Sequence, residues 1–193
     1  LILATVLSLA FTQVTAQDFN KGYKAYQAGD YATAVKEWKP LAEQGNADAQ
    51  FNVGVMHEKG RGVLKDNSAA VKWFKLSAEQ GHAHAQYNLG LMYIKGDGVS
   101  HDVTEALKWY RLSVEQGNAY AQKSLGTMYW MGFGVLEDNL TAHMWYNISS
   151  ANGHEDAGEW RDKVADSMTP EAIEKATAMA RECMASDYKK CGY

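Results

Sequence analysis

The chain has 193 residues, 46% of them hydrophobic and 22% charged, and a formal net charge of −4 at pH 7. Those proportions suit one folded domain or a short array of repeats and exclude a long disordered chain. Acidic and basic residues are mixed without a basic block, so no nucleic-acid partner is expected, and only two prolines interrupt a composition that favours helices.

Residues 1–16 read as a signal peptide. Leu1–Phe11 is apolar and uncharged, and Val14-x-Ala16 has the spacing that signal peptidase prefers, which places cleavage before Gln17. The basic start and initiator Met are absent, so the segment reads as truncated at its beginning. An uncleaved anchor is the alternative, although the apolar run is shorter than the roughly 20 residues a spanning helix needs. No later stretch resembles a membrane span. The expected location is periplasmic or secreted.

Residues 17–46 hold a first helical hairpin, marked by Gly22, Ala25, Gly29-Asp30-Tyr31, Ala34 and Trp38. From there a 36-residue period governs the chain. Glu43-Gln44-Gly45 recurs as Glu79-Gln80-Gly81 and Glu115-Gln116-Gly117, and in altered form as Ala151-Asn152-Gly153. Ala49-Gln50, Gly54, Met56 and Gly60-x-Gly62-Val63 return at the same step, as do the columns of Asp30 and Ala34. Such self-similarity marks a repeat architecture, here with units 47–82, 83–118 and 119–154.

Each unit reads as two helices. In the central unit the first runs from Ala83 to Lys95, with Ala85, Leu89, Met92 and Tyr93 as its buried stripe. Gly90 interrupts that face at a cost of about 1 kcal/mol relative to Ala, which makes sense where a neighbouring helix approaches closely. Gly96 and Gly98 turn the chain. Asp102 caps the second helix, with Glu105 completing a capping box. Ala106, Leu107, Trp109, Tyr110 and Leu112 are the expected core set of that helix.

Residues 155–193 supply C-terminal capping helices. Glu155–Ala165 forms one. Thr169 caps another with Pro170 at its first position, and Ile173, Ala176, Ala180, Cys183 and Met184 make its apolar stripe. Cys183 and Cys191 are the only cysteines, and an even pair in an exported chain is expected to form a disulfide, with two free thiols as the alternative. A continuous helix holds residues eight apart at about 12 Å. A disulfide needs roughly 4.4–6.8 Å between Cα atoms, so the last helix must stop near Ser186.

The segment Ala85-Gln86-x-x-Leu89-Gly90-x-Met92-Tyr93-x-x-Gly96-x-Gly98-Val99, continued by Asp102, Ala106, Trp109-Tyr110 and Glu115-Gln116-Gly117, resembles the Sel-one-like repeat (SLR) family, a relative of the tetratricopeptide repeat. The resemblance covers about residues 47 to 154, and the upstream hairpin is similar to a tetratricopeptide unit. It implies an all-α fold, a right-handed α-solenoid of stacked helix-turn-helix repeats with the first helices lining the inner, concave wall. It also implies a non-enzymatic scaffold that binds another protein or peptide, without cofactor.

If the first helices line that wall, the residues facing away from the core are Phe51, Val55 and Glu58, then His84, Tyr87, Leu91 and Ile94, then Tyr120, Lys123, Thr127 and Trp130. So apolar and aromatic a set on a solvated face marks a partner-binding surface. A peptidoglycan ligand is an alternative for the same aromatic wall.

Chemistry finds little support. His82-x-His84 lacks a third ligand, and His82 occupies the column of Asn46 and Asn118, which reads as a cap, so no metal is expected. His57 occupies the core Tyr column, and His101 and His143 read as surface or interface residues. Ser186-x-x-Lys189 matches the nucleophile motif of penicillin-recognising enzymes in form only, because Ser-Asp-Asn and Lys-Thr-Gly are absent. A β-lactam-interacting enzyme is therefore the weakest alternative, and no catalytic residue is expected. Asn139-Leu140-Thr141 and Asn147-Ile148-Ser149 fit a glycosylation pattern but fall on helices.

Overall fold

A computed structural model describes residues 19–191. The expected signal peptide, residues 1–16 with cleavage before Gln17, lies outside the described residues. All regular structure among the described residues is helical. Residues 19–27 form α1. Then follow α2 (Tyr31–Glu43), α3 (Ala47–Lys59), α4 (Asn67–Glu79), α5 (Ala83–Lys95), α6 (Val103–Val114), α7 (Ala119–Met131), α8 (Asn139–Ala151), α9 (Ala157–Ala165) and α10 (Pro170–Ala185). The chain divides into two compact units. One ends at Ala85 and includes Asp97–Val99, and the other comprises Gln86–Gly96 and the chain from Ser100 onward.

The recurring columns are the residues that start, stop and join these helices. Asp30, Asp66, Asp102 and Asp138 stand before α2, α4, α6 and α8, and each carboxylate accepts a backbone N–H of the first turn. Asn46 and Asn118 do the same for α3 and α7. The expected capping box at Asp102 is only half formed. Its carboxylate accepts the Glu105 N–H, but its own N–H donates to the Tyr93 carbonyl and the Glu105 carboxylate turns to Lys108. The preceding helix has already supplied the acceptor that the box would provide.

The Ala-Gln and Glu-Gln-Gly columns meet in space. Gln80 donates through Nε2 to Gln50 Oε1 at 2.7 Å, and Gln116 donates to Gln86 Oε1 at 2.7 Å. Asn152 donates to Gln122 Oε1 at 2.9 Å, so the altered copy keeps the amide that the bond requires. Each hairpin is thereby tied between the start of its first helix and the end of its second.

Three glycines set how closely those helices pack. A Cβ at Gly54 would lie 2.7 Å from the Phe74 ring, one at Gly90 2.7 Å from the Tyr110 ring, and one at Gly126 3.0 Å from the Tyr146 ring. The ring of each second helix rests on the bare backbone of the first, as the missing side chain at Gly90 suggested.

In the first unit, Ala34, Val35, Trp38, Leu41, Val53 and Met56 form the core, and the Trp38 indole donates to the Phe19 carbonyl at 3.1 Å. In the second, Leu107, Tyr110, Val114, Leu125, Met128, Trp145 and Ile148 are joined by Ala180, Cys183 and Cys191. Thr169 caps α10 with Pro170 in its first turn, and the helix ends at Ala185. Cys183 and Cys191 are disulfide-bonded, with Cα atoms 4.6 Å apart.

One expectation is corrected. Leu112, assigned to the core, is 37% exposed because it falls on the outer side of α6. His143, read as a surface or interface residue, is only 3% exposed and lies between helices, because α7, α9 and α10 all pack on α8.

Replacing Gly90 with Ala improves intrinsic helix propensity but forces a methyl group into the Tyr110 ring. Overpacking of this kind costs about 1–3 kcal/mol. Gly90→Ala is therefore expected to lower the urea unfolding midpoint, read by far-ultraviolet circular dichroism.

Candidate partner-binding groove

In the second unit, Tyr87, Leu91 and Ile94 project from α5 at helical spacing, and Tyr120, Lys123 and Thr127 project from α7 in the same way. All six line one open cavity of about 350 Å³, together with Tyr110, Ser124, Met128, Met131, Phe133 and His154. Its floor depends on the glycine contacts. Because Tyr110 lies against Gly90, its ring reaches Tyr87, with centroids 5.9 Å apart, and Tyr87 in turn meets Tyr120 at 5.8 Å. At Gly126 the Tyr146 hydroxyl comes within 2.9 Å of Thr127 Oγ1. Tyr120, Met131 and Phe133 are exposed at 54%, 67% and 41%, so apolar surface continues onto the rim.

The phenols here are held neutral. Burial pushes Tyr87 up from its ordinary value, with Tyr120 adding to the effect and the Ser124 hydroxyl opposing it. Burial raises Tyr110 further, aided by Tyr87. Neither hydroxyl ionises near neutral pH.

The charged part of the groove lies at one end. Asp156 carries an oxygen 3.3 Å from Lys123 Nζ and another 2.9 Å from His154 Nδ1. Slight burial raises the Asp156 carboxyl, but Lys123, then His154 and the Trp160 side chain, outweigh it and hold it below the ordinary carboxylate range. A second cavity of about 450 Å³ is larger, but mixed amide and charged side chains line it beside the disulfide loop, including Gln86, Glu115, Gln116 and Lys189.

The remaining sequence-selected residues lie elsewhere. Trp130 packs on Trp160 of α9 at 5.4 Å, with Lys163 Nζ 5.3 Å from its ring, so α9 covers it. Phe51, Val55 and His84 belong to the first unit, where Phe51 stacks on His82 at 4.6 Å and meets His84 at 6.1 Å and Phe74 at 5.9 Å. Met131, Phe133, His154 and Asp156 were missed. They stand on the last residue of α7 or in the loops beyond helices, where spacing along one helix carries no information.

His82 accepts the Ala85 N–H at Nδ1, 3.1 Å away, and so caps α5 as Asn46 and Asn118 cap their helices. Among the described residues no group of three or more potential ligands could hold a metal ion. The Ser186 hydroxyl donates to the Cys183 carbonyl and accepts the Lys190 N–H, and thus finishes α10.

A helical repeat fold of this kind defines an α-solenoid. The Sel1 repeat family model matches residues 47–82, 83–118 and 119–154, and the chain belongs to that family. A Sel1 repeat protein from Oxalobacter formigenes is 30% identical with a TM-score of 0.75, over 88% of this chain and 69% of that one. The protein c5321, a protective antigen present in uropathogenic Escherichia coli strains and displaying an SLR fold, is 32% identical with a TM-score of 0.76. That match covers 95% of this chain but only 40% of c5321. No curated relative matches the chain. The Sel1 repeat fold is generally a protein–protein interaction scaffold, and its members are generally non-enzymatic.

The cap at His82 generates a pH dependence. Accepting at Nδ1 leaves the ring proton on Nε2, which faces Asp48 Oδ1 at 3.4 Å. Burial lowers the His82 pKa, Asp48 opposes this and His84 reinforces it. The unfolded chain therefore binds the proton more readily, and stability falls as pH drops below about 6.5, the ordinary His value. His82→Asn keeps an acceptor that does not titrate. Denaturation series from neutral to mildly acidic pH are expected to show a smaller loss of stability in the variant than in the unaltered protein.

Proposed function

We propose that this protein is a non-enzymatic scaffold that binds an extended or helical segment of another protein in the groove of Tyr87, Leu91, Ile94, Tyr120, Lys123 and Thr127. The observation that carries this reading is the exposed aromatic and aliphatic lining, which no helix of the unit covers. Contact area of this kind, with rigid aromatic rings at its centre, is what anchors a partner. Export is part of the same proposal. It is supported by the Cys183–Cys191 disulfide.

Tyr120 and Leu91 test the groove with least damage to the core, because Tyr120 is exposed and Leu91 is half-buried at the surface. The double variant Tyr120→Ala with Leu91→Ser is expected to lose capture of partners from an exported-protein fraction by about tenfold or more, with helical circular dichroism unchanged. Equal capture by the variant and the unaltered protein would remove the groove from the reading.

A further inference from the structure

Five helices of the described chain have an aspartate at the N-cap position. Asp30, Asp66, Asp102 and Asp138 all turn their carboxylates onto the backbone N–H groups of the helix that follows. Asp156, before α9, makes no such bond. Its carboxylate points instead to Lys123 Nζ and His154 Nδ1. These two are the only charged or titratable side chains apart from the tyrosines that line the groove, and no carboxylate lines it. Lys123 is further placed by the Trp160 ring, 5.7 Å from its ammonium, and His154 by the Tyr120 ring, 4.8 Å away. The Lys123 corner beside an apolar trough is thus occupied by an acid that caps no helix, and that acid remains 46% exposed.

We propose that Asp156 holds the place of a partner's carboxylate, and that the groove takes a segment in which apolar residues are accompanied by an aspartate or glutamate. The apolar residues lie over Tyr87, Leu91, Ile94 and Tyr120, and the partner's carboxylate replaces Asp156 on Lys123 and His154. Released from that corner, the already half-exposed Asp156 carboxylate turns to solvent. The exchange trades one carboxylate for another beside the Lys123 ammonium, which therefore keeps an ionic partner. It selects against basic segments, which would meet Lys123 directly. This inference rests on the reading of the groove as a binding site.

The test is selection of a random peptide library displayed against the whole protein. Peptides that combine apolar residues with Asp or Glu are expected to be enriched, and Lys123→Met is expected to abolish the acidic preference while apolar peptides still bind. Asp156→Ser keeps a small polar side chain but vacates the corner. It should tighten binding of an enriched acidic peptide by at least about threefold in calorimetry, and the same peptide with Glu replaced by Gln should show no gain. Enrichment of neutral or basic apolar peptides, lost in Tyr120→Ala with Leu91→Ser, would overturn the carboxylate exchange and leave the groove intact. Failure to enrich any peptide sensitive to that double variant would overturn both.

Discussion

The contact on which each repeat depends is an aromatic ring laid on a glycine. Phe74 on Gly54, Tyr110 on Gly90 and Tyr146 on Gly126 bring the two helices of a hairpin closer than any side chain at the glycine would allow. A glycine inside a helix weakens it by about 1 kcal/mol. The loss is offset by burial of a large ring, which removes far more apolar surface from water than an alanine methyl group would. Because a close-packed interior tolerates little rearrangement, this spacing propagates to the neighbouring contacts.

Two consequences follow in the second unit. The amides of Gln86 and Gln116, and of Gln122 and Asn152, come within hydrogen-bonding distance only if the helices lie that close. On the opposite side, Tyr110 and Tyr146 reach far enough through the hairpin to support the groove, the first beneath Tyr87 and the second at Thr127. The same residues that stabilise the scaffold thus shape the surface it presents. Tyr87 and Ile94 in turn pack against the core, so part of the groove is held by the scaffold itself.

Much of the fold was legible because it depends on local, periodic chemistry. Glycines at fixed intervals, aspartates and asparagines before helices, and the stripe of Ala85, Leu89 and Met92 are each read within one helix or one turn. The candidate site was legible in part. Tyr87, Leu91, Ile94, Tyr120, Lys123 and Thr127 share a cavity because each lies outside its own helix's core stripe, and that property is local too. Trp130 has the same spacing but meets Trp160, and nothing in α7 announces what α9 will cover. Leu112 was misassigned for the same reason: apolar character states a preference for burial, and neighbouring helices decide whether it is met.

The sequence by itself determined the helices, the 36-residue repeat, the family and the cysteine pair, since these follow from caps, glycine positions and self-similarity along the chain. Tertiary structure alone decided that the two glutamine columns bond to each other, that Met131, Phe133 and His154 complete the groove, and that Asp156 pairs with Lys123 instead of capping α9. These contacts join residues about 30 positions apart, and a hydrogen bond or ion pair depends on distances of about 3 Å. No spacing along a single helix specifies such distances. They appear only when the ring-on-glycine contact has placed one helix against the next.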